Sequence, residues 1–294
     1  MQESTYRTDL ACEISRAGQK RGENIRKYER HGSPVEEMTV LPEEAEELGH
    51  PAGRYVTLHC GKIWLLDRGE MSRATLAVAG VLTECIRDAL GHPPDPDTGI
   101  LVAGLGNRFI TADSIGPRSA DLVTVTHHAR GEDNLLSLLG CMRVSALSPG
   151  VLGQTGLEAA DLIAEAARAA RADAIVAIDA LAARSTARLG ATVQISDAGI
   201  RPGSGIGNCR APITRKTVGV PVIALGVPTV VDSATLVWDA LEQAGISSPP
   251  RELHRVLSDG RSFIVSPKES DVIADAVAEL LSGAVNRALT PMLL

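Results

Sequence analysis

Short apolar runs alternate with helical patterns along most of this chain. The runs are continuous enough to predict strands that are buried on both faces, and apolar positions at helical spacing separate them. The predicted strands lie at 100–105, 122–126, 174–178, 193–195, 221–225 and 263–265. Predicted helices cover 72–90, 155–172 and a C-terminal stretch that ends near residue 289. This alternation is typical of an α/β fold.

Capping signals set the starts of two of these helices. Thr155 has the residue type of an N-cap, and Ser266 to Glu269 has capping-box spacing with Pro267 at the first helical position. Residues 1–52 are charged and show no clear strand, which indicates an N-terminal extension. We therefore predict a single α/β domain with a mostly parallel central sheet flanked by helices, of the phosphorylase/hydrolase-like kind, plus that extension.

Composition excludes several classes of protein. The chain has 294 residues, of which 44% are hydrophobic, so it can bury a large core. Two Phe, two Trp and three Tyr offer few stacking platforms, and the net charge of −7 disfavours direct nucleic-acid binding. No apolar run approaches the ~18 residues that a membrane span needs. Five dispersed cysteines without a C-x-x-C pair indicate a reducing cytoplasm and neither disulfides nor structural zinc.

Two aspartates, Asp113 and Asp179, follow predicted strands of the sheet. Because the carboxyl ends of parallel strands share one edge of a sheet, where ligands and chemistry are usually found, the two side chains make a candidate catalytic pair. Each has an ordinary structural explanation as well, since Asp113 can cap a helix and Asp179 can cap a strand end. Their joint position on one edge favours function.

Three glycine-containing motifs have simpler explanations than the ones they resemble. G-L-G at 104–106 lacks the third glycine of a dinucleotide fingerprint, which would fall at Phe109. D-T-G at 97–99 matches the D-T-G motif of pepsin-like proteases, but no second copy exists and it follows P-P-D-P. It therefore predicts a turn before a strand. G-S-G-I-G at 203–207 has no lysine and serine at the P-loop positions, and it predicts a loop near the site.

Histidines support neither a serine triad nor a metal site strongly. His127 and His128 lie just past the predicted strand at 122–126, but no serine has the G-x-S-x-G context. Two carboxylates and one histidine would suffice for zinc, yet no histidine falls between Asp179 and Pro228. We predict no metal ligands and no cofactor.

Several long segments in order along the chain resemble those of the bacterial spore germination proteases. They are R-T-D-L-A-C-E (7–13), G-L-G-N-R-F-I-T-A-D-S-I-G-P (104–117), A-I-V-A-I-D-A-L-A-A-R-S (174–185), Q-I-S-D-A-G-I-R-P-G-S-G-I-G-N (194–208), G-V-P-T-V-V-D (226–232) and F-I-V-S-P-K-E (263–269). The resemblance covers nearly the whole chain. It implies an endopeptidase that degrades the small acid-soluble proteins coating spore DNA during germination and that is made as a self-processing zymogen.

The resemblance also implies where the site lies and how the protein assembles. The family's catalytic aspartates match Asp113 and Asp179, the pair already singled out. Two carboxylates held close share a proton, which suits an aspartic-type, metal-independent mechanism. The alternative is a metal-dependent protease like the related hydrogenase-maturation enzymes, which bind metal at the matching carboxylates plus a histidine. A homotetramer in the cytoplasm of the forespore and spore core is the implied state.

The processing site follows from the same resemblance. T-D-L-A-C-E is similar to the family's self-cleavage site and to the T-E-I-A-S-E type of sequence in its substrates, so cleavage is expected between Asp9 and Leu10. This divides the chain into a propeptide, 1–9, and a peptidase domain, 10–294. Backbone N–H groups of the glycine turns are candidates for oxyanion or substrate contacts. The candidate turn residues are Gly106, Asn107, Gly203, Ser204 and Gly205.

Overall fold

The computed structural model describes residues 7–13, 25–129, 138–207, 210–246, 250–258 and 263–290. Nine strands are found in these ranges: β1 (Ile25–Arg30), β2 (Ser33–Val40), β3 (Gly53–His59), β4 (Gly99–Gly104), β5 (Arg143–Leu147), β6 (Ala174–Ala182), β7 (Thr192–Ser196), β8 (Val222–Asp232) and β9 (Ile264–Val265). The helices are α1 (Ala45–Leu48), α2 (Arg68–Leu90), α3 (Ile115–Asp121), α4 (Leu152–Thr155), α5 (Ala159–Ala170), α6 (Arg215–Val218), α7 (Ser233–Gln243), α8 (Arg251–Ser258) and α9 (Ser270–Leu289).

All nine strands belong to one sheet with the order β1-β2-β3-β7-β8-β6-β4-β5, and β9 pairs with β8. Strands β8, β6, β4 and β5 run parallel, whereas β1, β2, β3, β7 and β9 join antiparallel. The predicted α/β class is therefore confirmed as a mixed sheet with a parallel core. The carboxyl ends of β4 and β6 lie side by side, which brings the two candidate aspartates to one edge.

Helices cover both faces of the parallel strands, as the continuous apolar runs require. Alternate residues of β6 point to opposite faces. Val176 and Ile178 join a large core against α2 and α9, whereas Ile175 and Ala177 join a smaller core against α5. No helix in the described ranges is long and apolar enough to cross a membrane.

The predicted N-terminal extension without strands is partly wrong, because residues 25–40 form the hairpin β1–β2 and extend the sheet. The hairpin lies at the end of the sheet, where β1 has no fully buried residue, and it carries ion pairs such as Lys27 with Glu36 at 2.8 Å. Val35 joins the large core from one face of β2, whereas Met38 and Val40 pack in a small cluster on the other face, and the charged residues Glu36 and Glu37 between them interrupt any apolar run. His31 and Gly32, both with positive φ, make the turn.

The predicted strand at 122–126 is wrong, because side-chain hydrogen bonds hold most of this segment, and its end is held by a backbone hydrogen bond from the Thr126 N–H to the Val144 carbonyl of β5 at 3.0 Å. Asn286 of α9 donates to the Leu122 carbonyl at 3.0 Å and accepts from the Thr124 N–H at 2.8 Å. The place beside β4 is taken by β5, at 143–147.

Two predicted helix starts are also wrong. Thr155 lies at the end of α4, where Gly156 with φ +72° closes the turn, and α5 begins at Ala159 after a Glu158 N-cap. The proposed capping box before the C-terminal helix is absent, since Glu269 is the N-cap and makes no side-chain cap bond. By contrast, α2 begins with a true capping box between Asp67 and Glu70.

Candidate functional site

Asp179 lies inside β6, which continues three residues beyond it to Ala182. The strand is longer than predicted, so Asp179 does not cap a strand end. Its side chain shares a sheet face with Ile175 and Ala177, and it is 5% exposed. Its Oδ1 accepts a hydrogen bond from the Ala180 N–H at 2.9 Å. A carboxylate is thus placed in a largely apolar sheet where water barely reaches it.

Asp113 is held by the loop between β4 and α3. Its Oδ2 accepts the Asn107 N–H at 2.8 Å, and no cap bond to α3 is formed, so the N-cap explanation fails. The loop closes because Gly106 has φ +109° and lets the Asp113 backbone approach, where a Cβ would lie 2.1 Å from the Asp113 carbonyl oxygen. Gly116 of α3 is equally tight, since its Cβ would lie 2.5 Å from the Ile178 carbonyl oxygen. These contacts fix Asp113 next to β6.

The two carboxylates influence each other's ionisation. Burial raises the pKa of Asp179 well above its ordinary value, and the negative charges of Asp113 and Asp9 raise it further. Burial also raises the pKa of Asp113, although the hydrogen bond from Asn107 opposes this shift. Neighbouring carboxyl groups in a dry site hold a proton between them, which is the property that acid–base chemistry needs.

A third carboxylate comes from the N-terminal segment Arg7 to Glu13, which lies across the sheet beside this pair. The Asp9 N–H donates to the Ala182 carbonyl at 2.9 Å. The Asp9 carboxylate accepts from the Ala182 N–H at 2.8 Å and from the Ser204 hydroxyl at 2.6 Å, and Gly205 contributes a backbone hydrogen bond. Burial still raises the pKa of Asp9 above its ordinary value.

The next two residues of the segment are buried as well. Leu10 is 0% exposed and packs against Leu181, Leu189 and Val231. Burying a leucine side chain contributes about 1.5–3 kcal/mol, so this contact alone is a substantial anchor. Ala11, 1% exposed, packs in a separate small cluster that includes residues of β2 and β3.

Glu13 completes the docking of the segment. Its carboxylate accepts the backbone N–H groups of Arg184 at 2.7 Å and Ser185 at 3.1 Å, and Arg188 Nε lies 3.1 Å away as an ion pair. The Thr8 hydroxyl also donates to it. These donors together make a pocket for a carboxylate, which we call the Glu13 pocket. The segment is thus held by the carboxylates of Asp9 and Glu13 and by the buried side chain of Leu10 between them.

The predicted turn residues lie around these carboxylates. The Asn107 N–H donates a hydrogen bond to the Asp113 carboxylate, and Gly106 lets the backbone of Asp113 come close enough for it. Ser204 and Gly205 donate to Asp9, and Gly203, with φ +74°, precedes the short helical turn that contains them. Gly106 also borders a cavity of about 180 Å³, next to the exposed Phe109. In this structure the donors therefore hold carboxylates, and the cavity lies on the loop that follows β4.

Other predicted features lie elsewhere. D-T-G at 97–99 begins in a turn whose N–H groups bond to Asp95, as expected for a turn before a strand. His127 and His128 follow Thr126, which is bonded to Val144 near the start of β5, so they are remote from the carboxylates. Among the described residues no group of three or more His, Cys, Asp or Glu side chains is arranged to hold a metal ion.

Gln194 and Arg188 contact the docked segment but were not among the site residues predicted from the sequence. Gln194 carries a detectable signal, because the alternation in T-V-Q-I-S puts Val193 and Ile195 on one face and Gln194 on the other. Arg188 carries no such signal, since it lies in a short 3₁₀ turn among several similar arginines. Only the docked segment identifies what it binds.

Comparison with known proteins agrees with this arrangement. Residues 6–244 match the family model for germination proteases, peptidase family A25. Curated germination proteases are similar over nearly the full length. That of Caldanaerobacter subterraneus subsp. tengcongensis is 34% identical over 97% of this chain and 94% of its own, and that of Priestia megaterium 33% over the same shares. That of Clostridium perfringens is 36% identical over 87% of this chain and 84% of its own.

Proposed function

This chain belongs to the germination protease family, and we propose that it is an endopeptidase that degrades small acid-soluble, DNA-coating spore proteins through an aspartic-type pair, Asp113 and Asp179. We propose further that it is made as a zymogen that removes residues 1–9 itself. One observation carries both proposals. The chain's own T-D-L-A-C-E segment is docked beside Asp179, which is buried, and near Asp113, which is half-buried, and both carboxyl groups have a raised pKa.

The chemistry proposed for the pair uses its shared proton. Asp179 is the more buried of the two and is the preferred holder of that proton. Asp113, whose ionised form is supported by the Asn107 N–H, is the member that accepts a proton from the attacking water. The neutral carboxyl then donates to the scissile carbonyl as the tetrahedral intermediate forms. Such a pair titrates as a unit, so its pH profile reports two macroscopic pKa values.

The donor set supports metal-independent chemistry. The hydrogen-bond donors to the pair are the backbone amides of Asn107 and Ala180, and the nearby Ser204 hydroxyl donates to Asp9. Asp9, the third carboxylate, belongs to the segment that the proposal removes. No histidine occurs between Asp179 and Pro228 to supply a third ligand. The rival metal-dependent mechanism remains an outcome that the activity test below distinguishes.

The docked segment supports a mode of substrate recognition. It presents an acid before the proposed cut, an apolar residue after it and an acid at the fourth position after it. Each has a matching environment: the donors around Asp9, the apolar cluster around Leu10 and the Glu13 pocket. Substrates of the T-E-I-A-S-E type would use the same contacts once the chain's own segment leaves. The homotetrameric assembly and the location in the spore core are proposed from the family alone.

Cleavage of a purified small acid-soluble spore protein, followed by intact mass, tests the proposed function. The processed chain is expected to cut after a glutamate within a T-E-I-A-S-E type of sequence, at the same rate with and without chelator. Activity that chelator removes and zinc or another divalent metal restores would favour the metal-dependent alternative. Failure to cut the spore protein under any condition would contradict the proposed activity.

Reversing the charge of Arg188 is expected to alter substrate preference. Arg188→Glu places a carboxylate against the substrate acid at the fourth position, so kcat/KM for a glutamate-containing peptide should fall about tenfold to hundredfold, the scale of a lost charge-assisted hydrogen bond. A peptide with arginine at that position should be cut better by the variant than by the parent. Peptide cleavage rates for the four combinations give the measurement.

Arg168→Glu is the matched control for this charge reversal, because Arg168 is exposed on α5 and pairs with Glu165 of the same helix. It should leave the preference unchanged. An Arg188→Glu variant that loses equal activity on both peptides would show that Arg188 does not recognise the charge at the fourth position of the substrate.

A further inference from the structure

Gln194 is a buried amide whose two functional atoms both bind the docked segment. Its side chain points away from the large core that Val193 and Ile195 enter, and it is 7% exposed. Its Nε2 donates to the Asp9 carbonyl oxygen at 2.9 Å, and its Oε1 accepts the Ala11 N–H at 2.8 Å. A buried amide without partners is costly, so these bonds fix both the side chain and the segment.

Both hydrogen bonds are made to backbone atoms of the docked segment and not to its side chains. The carbonyl of one residue and the N–H of the second residue after it are the groups that a neighbouring strand would bind. The Gln194 amide therefore makes the hydrogen bonds that a neighbouring strand would make here. These bonds flank the Asp9–Leu10 peptide bond. Any peptide that follows the same path, including the 3₁₀ turn that Ala11–Glu13 form after the bond, offers the same two groups, whatever its side chains are. The contact is thus available to every substrate that enters in this register.

The sheet register places Gln194 on the same row as the catalytic pair. Gln194 is paired with Gly226 of β8, and Gly226 is paired with Asp179 of β6. Paired residues point to the same face, so Gln194 and Asp179 face the segment from two strands that are about 10 Å apart, twice the spacing of neighbouring strands. Between them Gly226 has no side chain, and Leu181 fills its space. The Gln194 amide and the Asp179 carboxyl therefore lie on either side of Leu181, the side chain against which Leu10 of the segment packs.

We propose that Gln194 is the residue that clamps the scissile peptide and stabilises its carbonyl oxygen during hydrolysis. Negative charge develops on that oxygen when water adds to the carbonyl, and an amide N–H already aimed at it is the kind of donor that lowers the barrier. The Oε1 contact to the residue after Leu10 keeps the bond in register while this happens. The inference rests on the proposed function, because it takes Asp9–Leu10 as a model of the bond that is cut.

Two variants separate the donor from the clamp. Gln194→Glu keeps the shape and the acceptor but loses the donor, so kcat on a spore-protein peptide should fall about 10²-fold with a smaller change in KM. Gln194→Met removes both contacts, so kcat should fall similarly and KM should rise. Thr192→Val, an isosteric change two residues away on the same strand and face, should have the activity of the parent.

A pH profile distinguishes a role in the reaction from a role in folding. Protonation of the carboxylate that Gln194→Glu introduces restores an O–H donor, so the ratio of variant to parent activity should rise as the pH falls. Asp113 and Asp179 titrate in both proteins, and Gln194→Met, which introduces no carboxyl group, gives the pH profile of the site without the new acid. A role in folding alone would give a lower melting temperature and a flat ratio.

The outcomes are distinct from those of the proposed function itself. If the parent cuts the peptide and both Gln194 variants keep kcat within about threefold, the proposed role of Gln194 is wrong, whereas the proposed protease function stands. A flat activity ratio across pH would also overturn the donor role. If the parent cuts nothing, the inference falls together with the proposed function.

Discussion

Asp113→Asn and Asp179→Asn are each expected to abolish cleavage, lowering kcat by about 10⁴-fold, the upper range for general acid–base catalysis. An amide can neither hold the shared proton nor accept one from water. Asparagine keeps the shape and an acceptor for the Asn107 or Ala180 N–H, so the fold should remain. Peptide cleavage followed by mass, with circular dichroism as the test of folding, checks this prediction.

The same substitutions should not reduce stability near neutral pH. The pKa of Asp179 is raised above its unfolded value, so the folded protein binds the proton more tightly, and its stability falls as the pH rises from the unfolded pKa through the folded pKa. Asparagine removes that dependence. Asp179→Asn should therefore melt at the same or a higher temperature than the parent at pH 8, and the difference should shrink toward pH 4.

Asp161→Asn serves as the control for these two variants, because Asp161 is an exposed residue in the first turn of α5. It should retain full activity. A fully active Asp113→Asn or Asp179→Asn protein would rule out the pair as the catalytic centre, whereas an inactive and unfolded variant would indicate a structural role only.

Self-processing is the second large expected effect. Intact mass of the purified chain should show the loss of Met1 to Asp9 after mildly acidic incubation, with Leu10 as the new first residue. The docked segment puts the carboxylate of Asp9 near that of Asp179, and burial raises the pKa values of Asp9, Asp113 and Asp179. Groups with raised pKa favour the docked state below that pKa and oppose it above. Processing should therefore be faster near pH 5–6 than at pH 8.

The inactive pair variants provide the control for processing. Asp179→Asn should keep its full mass at every pH, which separates self-cleavage from acid hydrolysis of the Asp9–Leu10 bond. If the parent chain also keeps Met1 at every pH, the zymogen proposal is wrong for this protein. A loss of mass that is equal at pH 5 and pH 8 would instead contradict the role of the buried carboxyl groups in docking.

Much of the fold followed from the apolar runs. β4 and β6 are buried on both faces, so their sequences are continuous and apolar, and the predicted strands begin within one residue of the observed ones, although β6 continues beyond its predicted end to Ala182. The hairpin β1–β2 was missed because β1 has no fully buried residue and the buried positions of β2 are separated by charged ones, so neither strand shows an apolar run. The segment at 122–126 has the composition of a strand, but the amide of Asn286 occupies the hydrogen-bonding groups that a neighbouring strand would use.

The sequence by itself determined the α/β class, the family and the two aspartates, because these depend on residue types at strand ends and on long ordered motifs. Only the tertiary structure decided what surrounds them. Asp9, Gln194 and Arg188 lie far apart along the chain and meet because β6, β7 and the turn between them support one docked segment. Contacts between distant residues depend on strand order and register, and local periodicity contains neither.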